Sequence, residues 1–194
     1  MAKSSLLITL ALMFWLSSTG FTQWTNRYSK VEGYSHHVYL EGYELPILAA
    51  GPTDPAPDPK GSLLAFSARG WIWVLDIELG KARRVTDTSA LDSRPTWSPD
   101  GTKIAFLRDD TTDIDIWVKD LVTGEESTLV DSTAIELDPW YSTDGRFLYY
   151  SSSVGGDFDL WKLDLSTGEK NRFTDSAGVE RRPMPRRDGK MVVY

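Results

Sequence analysis

Pro95-Thr96-Trp97-Ser98-Pro99-Asp100-Gly101 decides the fold, because it returns along the chain. It recurs as Pro139-Trp140-Tyr141-Ser142-Thr143-Asp144-Gly145 and as Pro183-Met184-Pro185-Arg186-Arg187-Asp188-Gly189. A looser copy stands upstream as Pro55-Ala56-Pro57-Asp58-Pro59-Lys60-Gly61, so that the four glycines fall 40, 44 and 44 residues apart. Three further columns keep step with this turn. An apolar strand follows each glycine, at Leu63–Phe66, Ile104–Leu107, Leu148–Tyr150 and Met191–Tyr194. A second strand follows at Trp71–Asp76, Asp115–Asp120 and Asp159–Asp164. A glycine turn at Gly80, Gly124 and Gly168 then leads to an edge-like strand at Arg84–Asp87, Thr128–Asp131 and Arg172–Asp175.

Each unit thus predicts four short strands, rich in β-branched and aromatic residues and separated by Asp-Gly and Thr-Gly turns. A fixed period of this length is the mark of radially repeated four-stranded sheets, whereas a two-layer sandwich needs no strict period. Helical repeats are excluded because the apolar pattern alternates at period two. The expected class is therefore all-β: a β-propeller, incomplete here, with about three blades and the start of a fourth. The units are 51–94, 95–138, 139–182 and the beginning of the next at 183–194.

Turn chemistry accounts for Asp100, Gly101, Asp144, Gly145, Asp188 and Gly189 as structural residues. Glycine supplies positive φ, and aspartate bonds its own backbone. Trp73, Trp97, Trp117 and Trp161 are read as equivalent positions of the repeat and are expected to pack between neighbouring blades, in preference to stacking on carbohydrate.

Composition narrows the function. The chain of 194 residues has no Cys, which removes disulfides, thiolate metal sites and cysteine nucleophiles. With 21 Lys+Arg against 28 Asp+Glu the net charge is −7, and no nucleic-acid partner is expected. Met1–Ser5 carries one lysine, Leu6–Leu16 is apolar apart from Thr9, and Ser18-Thr19-Gly20 places small residues at a cleavage site. This reads as a secretory signal peptide over 1–20, cleaved after Gly20. A run of eleven residues is too short to span a bilayer, so no membrane span is expected after cleavage.

Candidate chemistry is sparse. His36 and His37 are the only histidines, and as neighbours in a strand they point to opposite faces. Asp109, Asp110, Asp113 and Asp115 form an acidic loop without the glycine and terminal glutamate of a known calcium loop, so a solvated hairpin is expected. No Gly-x-Ser-x-Gly elbow, His-Glu-x-x-His or phosphate-cradling Gly-Lys pair occurs, and no catalytic residue, metal or cofactor is expected within these residues. Arg181-Arg182 and Arg186-Arg187 form a local basic patch suited to an acidic partner or to salt bridges with the Asp-rich loops.

The Trp97-Ser98-Pro99-Asp100-Gly101 turn with Ile104-Ala105-Phe106, followed by Asp115-Ile116-Trp117-Val118 and Thr123-Gly124-Glu125, resembles the TolB-type propeller repeat. The resemblance covers Gly51 to Tyr194 and is strongest from Arg94 to Asp175. It implies a periplasmic or secreted propeller that binds a protein partner or small ligand at its loops and axial channel. The same repeat also forms the N-terminal propeller of secreted amidohydrolases and prolyl-oligopeptidase-like peptidases. Two expectations follow: a non-catalytic binding scaffold of the cell envelope or, alternatively, the propeller of a larger hydrolase whose catalytic domain lies beyond Tyr194. Ring closure favours a longer protein, because a closed propeller needs at least about four blades. The lead-in, 21–50, then carries a candidate ring-closing strand at Val38–Leu48.

Overall fold

The computed structural model describes residues 51–175, 178–186, 188 and 192–193. The expected signal peptide, the lead-in with His36 and His37, and Gly189 lie outside them. Fourteen strands are present, and no helix occurs among the described residues. The first blade holds β1 (Thr53–Pro57), β2 (Leu63–Ala68), β3 (Trp71–Asp76) and β4 (Lys81–Arg84). The second holds β5 (Leu91–Trp97), β6 (Lys103–Asp109), β7 (Ile114–Asp120) and β8 (Glu126–Val130). The third holds β9 (Glu136–Tyr141), β10 (Phe147–Ser152), β11 (Asp159–Asp164) and β12 (Lys170–Arg172). Each is a four-stranded antiparallel meander in chain order, and the pair β13 (Met184–Pro185) and β14 (Val192–Val193) begins another sheet. Among the described residues the sheets do not close into a ring, in agreement with the expected incomplete propeller.

Alternation explains how the blades stack. Along β6, Ile104 and Phe106 face the first blade, while Ala105 and Leu107 face the third, and all four are buried. The first seam joins Ala65, Ile72 and Val74 to Ile104, Phe106 and Trp97. The second joins Leu107, Ile116 and Val130 to Leu137, Leu148, Tyr150 and Leu163. The core is thus a series of seams between sheets. β4 and β12 are exposed throughout and rich in Lys and Arg, which discourages further strand pairing.

The edge strands stop earlier than the sequence pattern implies. The Ile72 amide donates to Thr86 Oγ1 at 3.0 Å, and the Leu160 amide to Thr174 Oγ1 at 3.0 Å. A threonine hydroxyl there replaces the backbone carbonyl, so the regular ladder ends at Arg84 and Arg172.

The recurrent turns are built alike. The Asp100 carboxylate accepts from Ser98 Oγ at 2.6 Å and from the Thr102 amide at 3.0 Å. Asp144 accepts from Ser142 Oγ at 2.5 Å and from the Arg146 amide at 3.1 Å. Hydrogen bonds to the charged form, those of the serines foremost, hold both carboxyls below their ordinary value. Gly101 and Gly145 take φ of 74° and 70°. A methyl group on Gly101 would stand 3.7 Å from the Pro59 ring, and one on Gly145 3.7 Å from Pro99. Each turn therefore rests on the turn of the preceding blade.

Candidate functional site

The first strands of successive blades, β1, β5, β9 and β13, are neighbours along the inner side of the array. β1, β5 and β9 carry the same two-residue feature, Asp54-Pro55, Arg94-Pro95 and Asp138-Pro139, and Arg182-Pro183 repeats it directly before β13. The residue before each proline lies in the left-handed region, with φ of 52°, 52°, 54° and 58°. Steric conflict with the proline ring normally drives this position to extended backbone. Here the ladder slips instead, between Thr53 and Ala56, between Ser93 and Thr96, and in β9 opposite Tyr149–Ser151. Proline supplies no amide for the ladder, and the extra residue forms a bulge that re-aims its side chain. The Arg94 amide, displaced by the bulge, donates to Ser67 Oγ (3.1 Å), and the Arg182 amide before β13 donates to Asp138 Oδ2 (3.3 Å).

These four side chains alternate in charge along the inner wall: acid, base, acid, base. Arg94 Nη1 donates to Asp138 Oδ1 at 2.5 Å, and Arg181 Nη2 to Asp138 Oδ2 at 3.0 Å. Burial pushes the Asp138 carboxyl up, and the positive charge of Arg94 opposes that shift. Around the pairs runs an open groove of about 520 Å³, walled by Pro55, Pro57, Pro95, Pro139 and Pro183 and by Trp97, Trp140 and Met184. That volume suits a small ligand or a short peptide segment. Trp140 is 44% exposed and Met184 50%, so apolar surface is on offer beside the charges.

Of the site residues singled out from sequence, Trp97 and, from the basic patch, Arg182 line this groove. Trp97 Nε1 donates to the Ala56 carbonyl at 2.9 Å across the first seam. Trp97 is not in register with the other three: its counterpart in the third blade is Tyr141, whereas Trp73, Trp117 and Trp161 occupy the third strands. Trp73 Nε1 donates to Ala68 O at 3.1 Å within its own blade. Trp117 packs against the first seam and Trp161 against the second. Asp100 and Asp144 sit in the β5–β6 and β9–β10 turns, away from the groove, and Asp188 pairs with Arg186 at 3.2 Å. In the acidic loop, Asp109 and Asp110 bond the amides of Thr111 and Thr112, both at 2.9 Å. Among the described residues, no group of three or more His, Asp or Glu is arranged to hold a metal. Sequence reading passed over Arg94 and Asp138. The available signal was an Asp or Arg directly before a proline in all four units.

Residues 35–194 match the family model described as TolB beta propeller domain. A tricorn-like protease N-terminal subunit of Sulfurisphaera tokodaii is 37% identical over 68 residues, which is 35% of this chain and 30% of that protein. The Tol-Pal system protein TolB of Francisella tularensis is 31% identical over 81 residues, 40% of this chain and 18% of that protein. The chain thus spans less than a third of the length of these relatives. Among solved structures, TolB from Acinetobacter baumannii superposes with a TM-score of 0.69 at 23% identity, over 73% of this chain and 37% of that one. A structure from Agrobacterium tumefaciens assigned to TolB gives 0.65 at 28% identity, over 71% of this chain and 52% of that one. With three four-stranded blades stacked in the observed way and a family match over most of its length, the chain belongs to the TolB beta propeller domain family.

Proposed function

We propose that this chain is an exported, non-catalytic propeller that binds a segment of a protein partner, or a small ligand, along its inner strands. The observation that carries this reading is the groove itself. Rigid prolines, an exposed tryptophan and an exposed methionine surround a fixed array of charges, a combination that recognises ligands without offering a reacting group. A periplasmic or secreted location is supported by the signal-like residues 1–20 and by the Francisella relative, named for the Tol-Pal system. In this reading residues 21–50 form the lead-in, with Val38–Leu48 supplying the ring-closing strand, and the recurrent Asp-Gly turns and the four tryptophans serve the scaffold.

Panning of displayed random peptides against the immobilised chain tests the groove. Peptides lost on Trp140→Ala but kept on Val122→Ala, a substitution at the exposed β7–β8 turn, support the reading. Enrichment independent of Trp140 overturns it. Export is tested by sequencing the N-terminus of the mature product, which is expected to start at Phe21.

The tricorn-like relative favours a second reading, in which this propeller is the N-terminal part of a hydrolase. Sequencing the encoding DNA beyond the codon for Tyr194 separates the two. A His-x-His strand or a Gly-x-Ser-x-Gly elbow downstream establishes the hydrolase. Further repeats followed by a stop codon establish the scaffold.

A further inference from the structure

Two columns of acidic residues run through the blades, and in each one member is paired with an arginine whose place is taken by Ser or Thr beside another member. Asp92, Glu136 and Glu180 recur at 44-residue spacing, and all are buried. Asp92 is held by Arg108, from Nε at 2.7 Å and from Nη2 at 2.9 Å. One blade on, the position of Arg108 is taken by Ser152. The second column is Asp115 in β7 and Asp159 in β11. Asp159 meets Arg172 Nη2 at 2.6 Å, whereas Thr128 occupies the place of that arginine in the second blade.

The two acids left without their arginines meet at the same seam. An isolated parallel bridge joins Ile114 to Ile135, so Asp115 and Glu136 occupy adjacent positions where the second and third blades touch. Glu136 is 1% exposed. Its Oε1 accepts from Ser132 Oγ at 2.6 Å and from Ser152 Oγ at 3.1 Å. Glu136 Oε2 and Asp115 Oδ1 are both buried without a hydrogen-bond partner among the described residues. The surroundings add more negative charge: Asp110 and Asp113 in the β6–β7 loop and Asp131 after β8 act on Asp115. Lys170 on β12 is the cation acting on Glu136, and Tyr150 on β10 lies beside it.

Each of these buried, unbonded oxygens is destabilising, and the charge of half-buried Asp115 acts repulsively on buried Glu136. A single proton answers both problems, because it turns one acceptor into a donor and removes one charge. We propose that Asp115 and Glu136 form a proton-binding pair that fastens the seam between the second and third blades and loosens it when the proton leaves. Burial, reinforced by the neighbouring acids, pushes Glu136 up to about 7 and Asp115 to about 6, from ordinary values of 4.5 and 3.8. Both shifts are upward, so the folded state binds protons more tightly than the unfolded chain. The stabilisation is complete below the ordinary carboxylate range and is lost as pH rises through about 7. The two titrations are linked through the Asp115 charge that acts on Glu136.

Hydrogen exchange of the full chain tests the pair, because the amide of Ile135 donates to Ser153 Oγ and the amide of Ser153 to the Ile135 carbonyl, at the seam itself. Corrected for intrinsic exchange, the protection of these two amides is expected to fall by about tenfold or more between mildly acidic and mildly alkaline buffer, the change expected for a shift of one pH unit. It is expected to stay constant in Glu136→Gln, which keeps the shape and removes the ionisation. Constant protection in the unsubstituted protein overturns the proposal, as does an equal fall in Glu136→Gln. Restored protection at alkaline pH on adding calcium chloride also overturns it, in favour of a metal site. Should Glu136→Gln not fold, the ¹³C carboxyl titration of Glu136 decides: a midpoint near neutrality supports the pair, and one in the ordinary carboxylate range overturns it.

Discussion

Arg94 and Asp138 occupy the same position of consecutive blades, 44 residues apart, and are joined by an ion pair at 2.5 Å. Asp138 also takes Arg181 on its other oxygen, so one carboxylate ties β5, β9 and the approach to β13 together. Asp138→Asn is expected to lower stability by about 2–3 kcal/mol, less than for a fully buried pair because Arg94 is partly exposed. Asp54→Asn, at the equivalent but exposed position, is expected to change it by under about 0.5 kcal/mol. Urea midpoints of the two variants check this.

A second ion pair lies deeper. Arg108 is buried between Asp92 and Glu126, with its guanidinium 4.5 Å from the Trp117 ring. Arg108→Met leaves Asp92 charged and unpartnered, a loss of about 3–5 kcal/mol. Adding Asp92→Leu is expected to recover most of that loss, because an apolar pair replaces an ion pair whose desolvation offset its attraction. Chemical denaturation of both variants measures the recovery.

The turn aspartates carry the opposite pH sign from the Asp115–Glu136 pair. Their carboxyls are held below the ordinary value of 3.8, so the stability they contribute is present above that value and lost as pH falls through the folded one. Asp100→Ala is expected to be about 1 kcal/mol less stable than the unsubstituted protein at neutral pH. The gap is expected to narrow as pH falls below the ordinary carboxylate value of 3.8. Melting temperatures of the two proteins across this range test it.

Trp97 bridges the first seam through its ring and its Nε1 hydrogen bond to Ala56. Trp97→Phe keeps most of the packing and is expected to lose about 1–2 kcal/mol, since the hydrogen bond to the Ala56 carbonyl goes with the indole. Trp97→Ala is expected to lose about 3–5 kcal/mol. Thermal unfolding followed by near-UV circular dichroism distinguishes the two.

The repeat made the blades legible because turn chemistry and period-two burial act within one unit and leave their mark on local sequence. Asp100 with Gly101, and the alternation of Ile104 to Leu107, are of this kind. The groove was not legible in that way. Its four left-handed residues have the chemistry of any Asp or Arg, and for Asp54, Arg94 and Asp138 it is the bulge, set by pairing with the second strand, that turns them to the inner wall. Asp115 was read as part of a solvated hairpin. It is half-buried in β7, because the bridge at Ile114 draws this end of the loop against the third blade. Trp97 was grouped with tryptophans of another strand because recurrence of a residue type does not reveal which column it belongs to.

The contact of Gly101 with Pro59, and of Gly145 with Pro99, gives the array a direction. The first and second blades each offer a turn proline, Pro59 and Pro99, to the bare glycine backbone of the next blade, so two copies meeting like face to like face would set ring against ring. Such a head-to-tail joint is not self-complementary, and it favours ordered addition over pairing about a two-fold axis. Duplication of one whole unit reproduces a working joint at both of its borders. A segment of the same length with its turn displaced by a few residues would reproduce neither.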